Sequence, residues 1–148
     1  MQIDDFEVAA TSGKTVKLSD MRGKKVLVYF YPKDDTPGCT VEGIDFSRLY
    51  PEFQALNCEI FGVSRDSLSS HEKFKCKLSM PFELLSDPDE VLCKQFGVMK
   101  LKNMYGKEVM GVERSTFLFD EAGQLLQAWR GVKSADHAQT VLDYLKTL

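Results

Sequence analysis

Cys39 stands at a point in the chain where a thiol could act as a nucleophile. Residues 26–31 form a continuous run of apolar, β-branched and aromatic side chains, which predicts a strand buried on both faces. Thr36 and Pro37 then supply a helix-start signal, so Cys39 falls in the first turn of the next helix. Unpaired amides and the positive end of the helix dipole favour a thiolate there. This position favours a reactive cysteine, although a small buried core cysteine remains an alternative.

Two neighbours of Cys39 are placed to assist it. Pro32 ends the apolar run and can shield the site from water, and Thr36 lies three residues before the cysteine, where its hydroxyl can point at the sulfur. Thr36 also has a simpler interpretation as the helix cap.

Apolar patterns along the chain predict the elements that position this site. The predicted strands cover 26–31, 59–64, 115–119 and 125–129; the predicted helices start at Pro37 (with a kink or break before Pro51), at about 68, at 88 and at 138. Residues 1–18 predict a small extra hairpin. Because the central strands lack a polar face, helices should cover both faces of a mixed sheet. We expect one α/β domain over residues 1–148, a thioredoxin-like fold with an N-terminal hairpin extension.

Composition excludes several classes of function. The formal net charge is -3 without a basic tract, which argues against nucleic acid and against an anionic membrane surface as partners. No apolar stretch approaches the roughly 20 residues that span a bilayer. The acidic start of the chain does not resemble a secretory signal, so we expect a cytoplasmic protein whose four cysteines are thiols or redox groups.

Several motifs in the sequence resemble those of a known family. The pattern Pro32-x-x-x-Thr36-x-x-Cys39 is similar to the active-site pattern of the peroxiredoxins, and residues 30–42 resemble the branch called bacterioferritin comigratory protein, or peroxiredoxin Q. Residues 84–88, 102–107 and 113–118 extend the resemblance over most of the chain.

The resemblance implies a thiol-specific peroxidase that reduces hydrogen peroxide and organic hydroperoxides without cofactor or metal. It implies that Cys39 attacks the peroxide and becomes a sulfenic acid, and that Thr36 and Arg114 hold the two peroxide oxygens. Glu42 matches a family position from which a carboxylate could orient Arg114; a solvent-exposed helix glutamate is the alternative.

The residues leave several candidates for the thiol that resolves the sulfenic acid. Many members of the branch carry it five residues after the first cysteine, where this chain has Ile44. The remaining choices are Cys58, Cys76, Cys93 or an external thiol. Cys58 and Cys93 lie in apolar patterns, whereas Cys76 stands between two lysines on the polar side of its helix. A second group within the branch has its resolving cysteine on this helix, so the resemblance implies a Cys39–Cys76 disulfide in a monomer, recycled by thioredoxin or alternatively by glutaredoxin.

Rival functions have less support. Zinc-ligand spacing is absent, and we expect His71 to be a polar residue on its helix rather than a ligand. A thioredoxin-type oxidoreductase needs two cysteines at the helix start, and a cysteine hydrolase needs a histidine base near Cys39. A non-enzymatic redox sensor or holdase would use the same cysteine and stays open.

Overall fold

The computed structural model describes residues 5–148, apart from the side chain of Met104. A five-stranded mixed sheet forms its centre. Its strands are β3 (Lys25–Phe30), β4 (Cys58–Ser64), β5 (Glu83–Ser86), β8 (Ser115–Phe119) and β9 (Leu125–Trp129). They lie side by side in the order β5-β4-β3-β8-β9. β3, β4 and β5 are parallel, whereas β8 runs antiparallel to both β3 and β9. This is the predicted thioredoxin-like arrangement, with β3 at the centre.

Alternate side chains of β3 divide the core into two layers. Leu27, Tyr29 and Tyr31 pack into a layer beneath α1 (Pro37–Ala55), α2 (Leu68–Leu78) and α4 (His137–Leu145). Val28 and Phe30 face the opposite layer, which includes α3 (Val91–Gln95). Because successive side chains of a strand point to opposite faces, a strand buried on both sides needs an unbroken apolar run, as residues 26–31 supply.

Two hairpins flank the central sheet. The first pairs β1 (Glu7–Ala9) with β2 (Thr15–Lys17), in agreement with the predicted N-terminal hairpin; residues 1–4 of that prediction lie outside the described residues. A 3-10 helix, Leu18–Met21, follows it. The second hairpin pairs β6 (Met99–Met104) with β7 (Lys107–Val112) and was not predicted. It leads directly into the segment before β8.

The structure differs from the sequence-based expectation at two helices. The helix α1 continues through Pro51 without a break, because Pro51 lies on the exposed side while Phe46 and Phe53 hold both halves against the sheet. The helix expected from residue 88 begins only at Val91, where the Asp87 carboxylate accepts hydrogen bonds from the amides of Leu92 and Cys93. Among the described helices, none combines the length and apolar character that a membrane crossing requires.

Candidate active site

Cys39 is the third residue of α1 and is only 2% exposed. The first intrahelical hydrogen bond is donated by the amide of Thr40 to the carbonyl of Thr36, at 2.8 Å. The amides of Gly38 and Cys39 therefore precede the helical ladder and have no intrahelical acceptor. The sulfur thus lies at the positive end of a 19-residue helix, in surroundings that stabilise an anion.

Arg114 reaches Cys39 from the other side of the fold. Its Nη2 donates to the Cys39 sulfur over 3.4 Å, and its Nη1 donates to Glu42 Oε1 over 2.7 Å. The strand register explains this meeting, because Ser115 pairs with Phe30 across the β3–β8 ladder. Arg114 therefore lies beside the end of β3, where the loop to Cys39 begins. A guanidinium with two separately directed donors can hold a carboxylate and a sulfur at once.

Glu42 lies one turn after Cys39 on α1 and has no exposed surface. Burial raises the pKa of the Glu42 carboxyl to about 7, although the Arg114 charge acts to lower it. Burial opposes the charge of Arg114 as well, but Glu42 and Cys39 outweigh it and the pKa of Arg114 is raised. Glu42 Oε2 has no hydrogen-bond partner among the described residues. The exposed-glutamate alternative for Glu42 is wrong, because the side chain faces inward and binds Arg114.

Thr36 occupies the N-cap position of α1, as predicted, but its hydroxyl does not donate a hydrogen bond toward Cys39. The side chain makes no capping hydrogen bond and instead donates to the carbonyl of Lys33 over 2.8 Å. We expected the hydroxyl to point at the Cys39 sulfur, but its proton is directed at the Lys33 carbonyl instead. Since the proton is committed to Lys33, the lone pairs of Thr36 Oγ1 remain able to accept a hydrogen bond. Pro32 is half-buried and lies two residues after the end of β3.

The other cysteines differ sharply in environment. All four are free thiols, and Cys76 on α2 is the exposed one. Burial raises the pKa of Cys58 to about 12, and burial together with a hydrogen bond to Asp87 raises the pKa of Cys93 further. The sequence-based ranking is confirmed in this respect: Cys58 and Cys93 are buried, and Cys76 is accessible.

The histidines are both buried, which was not predicted. His71 has no exposed surface; its Nδ1 lies 2.7 Å from Asp34 Oδ2 and its Nε2 lies 2.8 Å from the Leu85 carbonyl. His137 Nε2 lies 2.7 Å from Thr116 Oγ1. These contacts occupy both ring nitrogens of His71 and Nε2 of His137, so the hydrolase alternative gains no support. His71 is a polar residue on its helix, as expected, but its side chain is buried, because the spacing from His71 to Phe74 places both on the buried face.

Donor atoms of Asp34, Asp66 and His71 lie within 4.8 Å of one another. They are already engaged: Asp34 bonds His71, and Asp66 Oδ2 accepts from the backbone amide of Asp34 over 2.9 Å. No local motif in the sequence marks this cluster, because its members come from three separate segments of the chain.

Lys102, on β6, is a further cation near the site that sequence analysis did not single out. Its Nζ donates to the carbonyl of Val112 over 2.6 Å, and Val112 lies two residues before Arg114. Burial lowers the pKa of Lys102, and repulsion by the Arg114 charge also acts to lower it. The two cations are therefore close enough to influence each other. The ideal Cβ position at Gly111 lies 2.9 Å from Lys102 Cδ, so a larger residue there would require the lysine side chain to shift.

The fold and the site together define a thiol-based redox enzyme of the thioredoxin-like class. The AhpC/TSA family model matches residues 1–128. "Peroxiredoxin Bcp" of Xanthomonas campestris is 52% identical over 96% of this chain and 89% of its own length, and "Peroxiredoxin Bcp" of Bacillus subtilis is 50% identical over 97% and 92%. A solved structure of the X. campestris bacterioferritin comigratory protein, studied for alkyl peroxide reduction, superposes with a TM-score of 0.92 at 51% identity, covering 96% of this chain and 90% of that one.

The chain therefore belongs to the AhpC/TSA family, as a peroxiredoxin of the Bcp, or peroxiredoxin Q, type. It is a peroxidase, an oxidoreductase that acts on hydroperoxides at the expense of a thiol reductant.

Proposed function

We propose that Cys39 is the peroxidatic cysteine and that its thiolate attacks the terminal oxygen of hydrogen peroxide or an organic hydroperoxide. A sulfur–oxygen bond forms while the oxygen–oxygen bond breaks, so the sulfur is oxidised to a sulfenic acid and the peroxide is reduced. The alkoxide or hydroxide leaves and takes a proton from solvent. The observation that carries this proposal is the 3.4 Å contact between Arg114 Nη2 and the Cys39 sulfur.

Arg114 has two tasks in this mechanism. Its charge favours the thiolate in the reduced enzyme, and its donors stabilise the charge that moves to the departing oxygen in the transition state. Glu42 fixes the guanidinium through the 2.7 Å bond to Nη1, which leaves Nη2 directed at the sulfur. Glu42 is thus a positioning residue that acts through Arg114.

Thr36 and Pro32 complete the pocket. Because the Thr36 hydroxyl donates to Lys33, its oxygen can accept a hydrogen bond from the hydroperoxide O–H and so orient the substrate. Pro32 presents an apolar ring to the same loop and limits the access of water to the thiolate.

Cys76 is our choice for the resolving thiol. It is exposed, whereas Cys58 and Cys93 are buried with strongly raised pKa values. Its thiolate attacks the sulfur of the Cys39 sulfenic acid, so a disulfide forms while the sulfur–oxygen bond breaks, and the departing hydroxide takes a proton from solvent and leaves as water. Cys39 is buried in the first turn of α1 in the reduced protein, so bond formation requires that turn, or the end of α2, to unwind.

The disulfide is then reduced by a dithiol protein, for which we propose thioredoxin, with glutaredoxin as the alternative. We place the reaction in the cytoplasm, where such reductants are kept reduced, and we propose that the enzyme acts as a monomer with no cofactor.

A coupled peroxidase assay with thioredoxin tests the residue roles. Cys39→Ser should be inactive, because no sulfenic acid can form. Cys76→Ser should lose thioredoxin-supported turnover yet still form one sulfenic acid per chain, detectable by mass spectrometry after trapping. Cys58→Ser and Cys93→Ser are the matched controls and should retain turnover. Full turnover by Cys76→Ser would assign resolution to another thiol, and a single stoichiometric oxidation without turnover would favour the redox sensor.

Hydrogen exchange tests the proposed unwinding. Residues 37–43 and 71–79 should lose protection when the protein is oxidised to the disulfide, while β3 and β4 keep theirs. Unchanged protection in both segments would contradict local unfolding, and peptide mapping of the same sample identifies the bridged pair.

A further inference from the structure

A buried polar pair connects the loop before Cys39 with the helix that carries Cys76. Asp34 lies in the loop between β3 and α1, and His71 lies on α2; their side chains are 3% and 0% exposed. The two meet over 2.7 Å between Asp34 Oδ2 and His71 Nδ1. Asp34 also accepts hydrogen bonds from Tyr31 and Ser70, so its carboxylate ties β3, the loop and α2 together.

Both ring nitrogens of His71 lie against oxygen atoms. The Leu85 carbonyl can only accept, so Nε2 donates to it. Nδ1 lies against the Asp34 carboxylate. The two side chains thus form a hydrogen-bonded pair sealed from water, with Leu85 anchoring the ring to β5.

The position of this pair along the chain relates it to both redox thiols. Asp34 lies five residues before Cys39, and His71 lies five residues before Cys76. The exposed pair Asp35–Lys77, at 2.6 Å, forms a second connection between the same loop and the last turn of α2. The loop is therefore held to α2 by one buried connection near the start of the helix and one exposed connection near its end.

We propose that Asp34 and His71 are positioning residues that hold the active-site loop against α2 and thereby determine how readily the Cys39 and Cys76 segments open for disulfide formation. This inference rests on the proposed function, because it takes Cys76 as the resolving thiol. The pair contacts neither peroxide nor sulfur. It acts by stabilising the closed arrangement in which Cys39 meets Arg114.

A buried pair suits this task better than an exposed one. Removing one member leaves the other buried without its hydrogen-bond partner, which destabilises the arrangement that encloses it, whereas an exposed pair contributes little. Breaking Asp34–His71 should therefore favour the open state. The reaction with peroxide needs the closed state and should slow down, while disulfide formation needs the open state and should speed up. Changes of opposite sign in the two steps distinguish a positioning role from general destabilisation, which slows both.

The test measures three quantities in the full-length protein with hydrogen peroxide. They are the rate constant for oxidation of reduced Cys39, the rate constant for disulfide formation, and the peroxide concentration at which half of Cys39 becomes sulfinic acid. For Asp34→Asn we expect the rate constant for Cys39 oxidation to fall at least threefold and the rate constant for disulfide formation to rise at least threefold. The peroxide concentration that converts half of Cys39 to sulfinic acid should rise correspondingly. His71→Asn should show a smaller change with the same signs, because its amide can still donate to Asp34.

Asp35→Asn is the matched control, since it removes the adjacent exposed carboxylate. It should change each quantity by less than twofold. If Asp34→Asn does not fold, His71→Asn decides the question. Equal behaviour of the Asp34 and Asp35 variants, or changes of the same sign in both steps, overturns the inference. If the wild type forms a Cys39–Cys76 disulfide but the three measured quantities stay unchanged in the variants, this inference alone fails. If the wild type forms no such disulfide, the proposed resolving role of Cys76 fails.

Discussion

The guanidinium of Arg114 lies directly against the backbone of Gly38. A Cβ placed at residue 38 would be 3.0 Å from Arg114 Nη2, closer than most side-chain contacts allow. The glycine next to Cys39 is therefore what permits Arg114 to cross the helix start and reach the sulfur.

Gly38→Ala should reduce activity without reducing stability. The added methyl group displaces Nη2 by a few tenths of an ångström, and we expect a three- to tenfold fall in kcat/KM for peroxide, about 1 kcal/mol of transition-state stabilisation. Alanine favours helix over glycine, so the free energy of unfolding should stay constant or rise. Steady-state kinetics and urea denaturation check the two effects. Val41→Ala, an exposed change on the same turn, is the control.

Glu42→Gln should alter the pH profile of the reaction with peroxide. The amide oxygen can still accept from Arg114, but the charge that helps fix the guanidinium is lost. Because burial raises the pKa of Glu42 to about 7, the wild-type carboxyl is largely neutral below that pH and ionised above it. Wild type and variant should react at similar rates near pH 6 and differ by about tenfold near pH 8, the variant being slower. A constant ratio across this range would contradict the role of the Glu42 charge.

His137 should make the protein less stable in acid. Burial, together with the nearby Arg114 charge, lowers the pKa of this histidine from 6.5 to about 4. Between these values the unfolded chain binds a proton that the folded chain does not, so stability is intact above pH 6.5 and falls as the pH drops toward 4. The loss is at most about 3 kcal/mol.

His137→Gln removes this titration, so the difference in unfolding free energy between wild type and variant should shrink as the pH falls from 7 to 4.5. Comparison with the variant matters because Glu42, whose folded pKa is raised, contributes stability with the opposite pH dependence over the same interval. Urea denaturation of both proteins across that interval measures the difference, and a constant difference would contradict the prediction.

Tyr29→Phe should leave stability unchanged or raise it by about 1 kcal/mol. The Tyr29 hydroxyl is buried and has no hydrogen-bond partner among the described residues, so removing it eliminates a desolvated polar group. Tyr31→Phe is the contrasting change, because the Tyr31 hydroxyl donates to Asp34 over 2.6 Å. Its loss should cost about 1–3 kcal/mol. Thermal or urea unfolding that ranked the two variants in the reverse order would contradict this assignment.

Local sequence signals predicted the elements that carry strong apolar patterns. They failed for β5, which has only four residues, and for the β6–β7 hairpin, whose lysines interrupt the alternation and whose side chains are mostly exposed. Short or solvated strands owe their form to pairing with neighbours more than to their own residues. The hairpin matters because it carries Lys102 and leads to Arg114.

The resemblance to a family, rather than any local pattern, singled out Arg114. It lies 75 residues from Cys39 along the chain. Only the pairing of β8 with β3 brings the two together, and the glycine at position 38 then lets the guanidinium approach.

The sequence by itself determined that Cys39 would lie in the first turn of a helix after a buried strand. The apolar run at 26–31, the N-cap residue Thr36 and Pro37 are local signals, which act over a few neighbouring residues. Tertiary structure alone decided that Glu42 turns inward to Arg114 and that His71 forms a sealed pair with Asp34. Burial and charge pairing depend on which distant surfaces meet, and that is a property of the packed sheet and its helices.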